Sequence, residues 1–237
     1  MRIGLYNLEP HIVNSAMMRV AAWHKAQGDH VEPYNHLLRS EYDKVYAFSI
    51  FDFTPKAMVD AGMESGGTGF DILKKLPPEI EAQDYDWSLY PECDFSIIWF
   101  SVGCIRACPF CVVRRKEGYI RSIEPKNLNP KGDYIKVMDN NFFANPEWRG
   151  AIAQLQAWGK RVDFQGVDAR LLTEEHIVAL KTLRHEKQIK VAWDNPRENL
   201  YPVFEKIVQH IKPRNIMCYV LIGFNSTPEQ DLERVEK

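Results

Sequence analysis

The chain has no apolar run near the ~20 residues that a helix needs to cross a bilayer, and Met1-Arg-Ile-Gly-Leu-Tyr runs straight into Asn-Leu-Glu-Pro with no signal-peptide apolar core. A helical membrane protein is excluded, and a cytoplasmic protein with no membrane partner is expected. It also lacks an excess of one charge. Thirty Lys and Arg face 32 Asp and Glu, for a net charge of -2 and a pI near 6.4. That balance disfavours a general nucleic-acid binder. Cysteine is scarce as well. Of five, three fall between positions 104 and 111, which is no disulfide framework and fits a metal site in a reducing compartment. Internal repeats and low-complexity tracts are missing too.

What is present is ordinary globular material: 237 residues, 45% apolar and 26% charged, enough for one large domain or two modest ones. Arg2 to Asn7 reads as a first strand, Ser15 to Gln27 as a helix opened by Asn14 and stopped by Gly28, and His30 to Tyr34 as a second strand. Val45 to Phe51 is a third strand, and Thr54-Pro55 is expected to cap a helix near Lys56 to Asp60. Alternating strands and helices imply a small parallel α/β layer over residues 1–75. Gly66-Gly67-Thr68-Gly69 follows, where glycine serves a tight turn needing positive φ. Residues 76–93 read as an ordered, aromatic linker in which Leu76-Pro77-Pro78 breaks any regular element.

From Asp94 to the last residue, 237, strand-then-helix units repeat. Ile97 to Phe100 is a buried strand, and Tyr134 to Met138, Val162 to Phe164, Ile189 to Trp193 and Asn215 to Ile222 follow. Helices are expected at about Pro146 to Trp158, Glu174 to Leu183, Leu200 to His210 and from Pro228, where Thr227-Pro228-Glu229-Gln230 is a capping box. Units of this kind put ligand groups at the carboxyl ends of their strands.

The first of those ends carries Cys104-Ile-Arg-Ala-Cys108-Pro-Phe-Cys111, a C-x3-C-x2-C loop. Three thiolates so close suit a 4Fe-4S cluster, and with no fourth cysteine nearby one iron is left open. Zinc usually asks for four closed ligands, and His36 and His176 are far off in sequence. Burial of Cys104 and Cys108 as plain core residues is the other bland account. Cys93 and Cys218 read as non-ligands, Cys218 as a buried small hydrophobe within a strand.

On the cysteine spacing and the aromatic Phe110 before Cys111, the chain resembles the radical S-adenosylmethionine (SAM) enzymes. The resemblance implies a fold: a partial (β/α) barrel of five to six strands over 94–237, behind a small Rossmann-like domain akin to the cobalamin-binding domain of some members. This chain ends after its fifth unit, where the family commonly has six. D-x-H-x-x-G, whose histidine can ligate cobalt, does not occur. Cobalamin is therefore not expected, and His11, His24, His30 and His36 take surface or core roles.

The resemblance also implies chemistry: Cys104, Cys108 and Cys111 hold the cluster, SAM binds its open iron, and an electron cleaves SAM to methionine and a 5'-deoxyadenosyl radical that abstracts hydrogen from a substrate. A flavodoxin or ferredoxin would donate that electron. Where the family often has G-G-E for the SAM amino group, this chain has Asp139, Asn140 and Asn141, with Asp139 favoured since a carboxylate suits an ammonium; helix capping by Asn141 or Asn145 is the alternative. Gln165 and Arg170 suit ribose or substrate and the SAM carboxylate, while Asp168 with Arg170 could equally form a surface ion pair. Asp194 and Asn195 suit ribose hydroxyls or turn initiation before Pro196. Gly223 and the Phe110 backbone would lie along adenine. The basic run Arg114, Arg115, Lys116 and Arg121 grips an anionic substrate or forms a solvated face.

Two further functions stay open: a non-catalytic Fe–S module for electron transfer or sensing, and an RNA-modifying, methylthiotransferase-like enzyme. Dedicated electron-transfer sites usually have four cysteines, and no C-terminal RNA-binding domain is visible.

Overall fold

Strand and helix alternate along the chain in the computed structural model, which describes residues 1–236. Contacts divide it into two units, Met1–Cys93 and a second starting at Asp94. Both are mixed α/β with parallel sheets.

In the first unit β1 (Arg2–Asn7) lies between β2 (His30–Pro33) and β3 (Lys44–Phe48), with β4 (Glu64–Gly66) beyond β3, and all pairings are parallel. The crossover from β1 to β2 is α1 (Ser15–Ala26). Asn14 caps it by accepting the Met17 N–H at 3.1 Å, and Gly28, at φ +81°, follows its end. Ile3 and Leu5 from β1 meet Met17, Val20 and Ala21 from α1 and Tyr46 and Phe48 from β3 in one apolar core.

Two expectations need correcting here. Residues 56–60 form turns and no helix. The Lys56 Nζ donates to the carbonyls of Phe51, Asp52 and Thr54, and Glu9 gathers the same loop, accepting from Ser49, Ile50, Phe51 and Thr54. Carbonyls spent on a side chain cannot start a helix. Burial alone would push the Glu9 carboxyl up, but these donors outweigh it and hold it low. In the linker, Pro78 opens a short helix, α2 (Pro78–Glu81), as proline can at a first helical position, and Ile80 enters the core. The glycine loop is a tight turn: Gly67 sits at φ +99°, and a Cβ there would stand 2.3 Å from the Ser49 carbonyl oxygen.

The second unit opens with β5 (Phe95–Ile98), then a β-ribbon of β6 (Ser101–Val102) and β7 (Arg121–Ser122) that brackets the cysteine loop and the short α3 (Val113–Glu117). Next come β8 (Tyr134–Val137), α4 (Trp148–Trp158), β9 (Arg161–Phe164), α5 (Glu174–Lys181), β10 (Ile189–Trp193), α6 (Tyr201–His210), β11 (Ile216–Val220) and α7 (Pro228–Glu236). β5, β8 and β9 form one parallel sheet and β10 and β11 another. Parallel bridges at Val162–His185 and Asp168–Ala192 carry the order from β9 to β10.

The pattern in sequence explains these elements. β8 and β9 bury nearly every residue, as strands covered on both faces do. Thr173 caps α5, accepting the His176 N–H. The Thr227–Gln230 pair exchanges hydrogen bonds at the start of α7. From α7 the buried Arg234 reaches the Trp193 and Leu221 carbonyls at 2.9 Å, pinning the helix to the ends of β10 and β11. The centre of β11 is different: Met217, Cys218 and Tyr219 are exposed, so Cys218 is no core residue. Among the described residues no further strand pairs with the outer edge of β11, which leaves that side uncovered.

Ile98, Ile135, Val137, Phe142, Leu155 and Phe164 centre the core of this unit, with the Phe142 and Phe164 rings 4.9 Å apart and tilted edge to face. Phe164→Ala should cost about 3–5 kcal/mol, read as a lower urea midpoint for this unit. A loss no larger than that of an exposed substitution would contradict the packing.

Candidate functional site

The carboxyl ends of the parallel strands in the second unit gather most of its buried polar groups. The first end is the cysteine loop, and its backbone is fixed before any ligand is considered. Gly103 sits at φ +85° with Tyr119 O only 2.4 Å from where a Cβ would stand, so no other residue fits. The Glu117 carboxylate accepts the Gly103 N–H at 2.9 Å and the Asn140 amide at 2.7 Å. Arg114 donates to the Cys104 carbonyl at 3.0 Å, and Cys111 N–H to the Cys108 carbonyl at 3.0 Å. Cys104, Cys108 and Cys111 are all free, the first two half-buried and the third exposed.

A second tie comes from β9. Asp168, next to the bridge that joins β9 to β10, accepts from the Arg106 guanidinium at 2.5 Å, and Arg106 stands between Cys104 and Cys108 in the loop. The same carboxylate accepts Arg170 Nε at 2.6 Å and Nη2 at 3.0 Å. Burial would raise the Asp168 carboxyl, yet Arg170 and Arg106 prevail and keep it below the usual carboxylate range. Arg170 also approaches Glu198 at 3.4 Å. This is no surface ion pair: Asp168 is buried.

Asn141 bridges the two ties. Its amide lies 3.3 Å from Asp168 Oδ2 and 3.9 Å from Cys104 Sγ. Its Oδ1 is buried with no hydrogen-bond partner among the described residues. A buried acceptor left unpaired is costly, so this atom beside Cys104 fits a donor brought by a ligand.

Asp139 is committed elsewhere. One oxygen accepts the Phe100 N–H at 2.9 Å and the other the Ser101 hydroxyl at 2.6 Å, so the carboxylate braces the segment leading into the cysteine loop. Burial raises its carboxyl to about 6. Asn145, the other capping candidate, joins Ser122 on β7 to the Phe100 carbonyl.

The remaining candidates divide. Phe110 packs edge to face on Phe224 at 5.2 Å, which brings the loop after β11 to the cysteine loop. Gly223 beside it, at φ +71°, donates its N–H to Asp231. Asp194 is held high by burial in a spot influenced by Arg170, Asp168 and Arg234. Asn195 accepts the Arg197 N–H and so makes a turn. Gln165 is exposed and reaches only the Asp163 carbonyl. Of the basic run, Arg114 holds the loop and Arg121, on β7, donates to the Glu117 carbonyl at the end of α3. Sequence reasoning misses Arg106 and Glu117; for Arg106, a cation among three thiols was the available signal.

Three free thiols on one braced loop are three of the four thiolates that a 4Fe-4S cluster ordinarily takes. Among the described residues no three His, Cys, Asp or Glu side chains gather round one point as a single ion requires. A cubane asks for less, because each thiolate takes its own iron. No model of a known protein family matches the chain, and no curated protein matches it either. Among the described residues no helix is long and apolar enough to cross a membrane.

Two consequences can be measured. Asp168→Asn should free Arg106 and speed alkylation of Cys104 and Cys108 several-fold; an unchanged rate would mean that the loop does not depend on that pair. For Asp139, a raised carboxyl means stability present below pH about 4 is lost as pH rises through about 6. Asp139→Asn should flatten that slope in thermal midpoints taken across this window, and a wild-type slope in the variant would remove Asp139 as its source.

Proposed function

We propose that the protein is a radical SAM enzyme, its second unit a partial (β/α) barrel of that type and its first a Rossmann-like domain. The reading rests chiefly on one observation: a braced C-x3-C-x2-C loop with three free thiols at the carboxyl end of the first parallel strand, beside a buried acceptor without a donor. The strand order β5-β8-β9, continued by bridges to β10 and β11, supports the barrel.

In this reading Cys104, Cys108 and Cys111 would hold a 4Fe-4S cluster, and the chemistry such a cluster would supply is one-electron reduction of bound SAM. Asn141 Oδ1 would accept a hydrogen bond from the SAM ammonium, the role that sequence assigns first to Asp139, whose two oxygens already accept from Phe100 and Ser101. Arg170 is shared between Asp168 and Glu198 and keeps Nη1 within reach of a carboxylate at only modest cost. Phe110 and Phe224 supply an apolar wall that suits an adenine ring. The substrate is unassigned, and a flavodoxin or ferredoxin would be the donor.

Anaerobic reconstitution with iron and sulfide, then dithionite and SAM, should yield 5'-deoxyadenosine and methionine. Cys108→Ala should abolish both the brown absorbance and the products. A reconstituted cluster whose spectrum ignores SAM would favour an electron-transfer or sensing module. Retention of the full absorbance in Cys108→Ala would refute the ligand assignment.

A further inference from the structure

At the amino ends of β10 and β11, away from the cysteine loop, the second unit holds a cavity of about 490 Å³. Lys181, Lys187, Lys212 and Arg214 line it. Among the described residues none of these four cations has a side-chain hydrogen bond or ion pair. The acidic side chain in the lining, Glu186, is already paired with Arg161 at 2.5 Å. His185 is turned to the Leu180 carbonyl, and burial lowers its tendency to take up a proton.

Lysine near a helix end often just complements the helix dipole, and Lys181 ends α5. That account covers little here. The carboxyl ends of α5 and α6 bring about half a negative charge each, which leaves about three positive charges around one concavity. Like charges around one concavity repel. Gln188 fixes the arrangement by donating to the carbonyls of Arg214 and Ile216, so the loop carrying Lys212 and Arg214 is tied to the start of β10.

We propose that this cavity is a binding site for a small anion bearing two linked phosphates, either free diphosphate or the diphosphate of a nucleotide. Its volume lies in the range of small-ligand sites, and three uncompensated charges match a diphosphate. A nucleic acid fits less well. Its backbone needs an extended basic track, and the chain as a whole carries a net charge of -2. The inference stands apart from the cluster chemistry, since every residue in it lies at the other end of the strands.

Calorimetric titration of the full chain with pyrophosphate, at constant ionic strength, tests it. Binding should be one to one, and the double variant Lys212→Gln with Arg214→Gln should weaken it about tenfold or more at an unchanged urea midpoint. Lys187→Gln, on a separate segment, should weaken it also. ADP in place of pyrophosphate separates the two sources, and binding of either supports the site. No heat with millimolar pyrophosphate or ADP would overturn the proposal, as would equal affinity in the variants. A short single-stranded RNA that binds more tightly than pyrophosphate, and loses affinity in the same variants, would overturn it in favour of a nucleic-acid surface.

Discussion

One buried carboxylate holds the site of the second unit together. Asp168 stands at the end of β9 and takes two guanidinium groups, Arg106 from the cysteine loop and Arg170 from the turn that follows. An unpaired carboxylate there would be expensive, and one that takes a forked pair from Arg170 and a single bond from Arg106 is less so. The pairing also works in the opposite direction. The loop's thiols are half-buried or exposed, so burial of its side chains does little to fix it, and the Arg106–Asp168 pair ties it instead.

The same division of labour recurs around the loop. Asp139 braces its approach from below, Glu117 holds Gly103 and Asn140 across its base, and Arg114 takes the Cys104 carbonyl. None of these three bonds a thiol. Each satisfies backbone groups that an irregular loop would otherwise leave unpaired. Parallel strands make this possible, because they deliver Asp139, Asn141 and Asp168 to one end of the sheet from segments distant in sequence.

Much of this was legible in the sequence. Strands of the second unit follow from short apolar runs bounded by turns, and β10 matches its expected span residue for residue. The caps at Asn14, Thr173 and Thr227 follow from local chemistry alone. Failures have a common cause, which is that a long-range partner decided the outcome. The loop before the 56–60 segment is gathered by Glu9, about forty positions away, and by the Lys56 ammonium on the Phe51, Asp52 and Thr54 carbonyls, and the segment after it turns without forming a helix. Asp139 looks like a free carboxylate until Phe100 and Ser101 claim both oxygens. Cys218 sits in a strand, but burial depends on what covers the strand, and no local pattern encodes that. Within the site, the cysteines announce themselves by spacing, whereas Arg106 gains its meaning only from Asp168.

Electrostatics gives the loop its remaining logic. Three thiols within eight positions would repel one another once ionised, and ionised sulfur is the form that binds metal. Arg106, Arg114 and Arg170 supply positive charge beside them, and the Cys108 sulfur is among the groups that raise Arg170. Asp168 cancels part of that charge, which keeps the arginines in place without an added anion. Beside these pairs the Asn141 amide donates to Asp168, while its Oδ1 is a buried acceptor with no hydrogen-bond partner among the described residues, so the charges of the loop are balanced and one neutral acceptor is not.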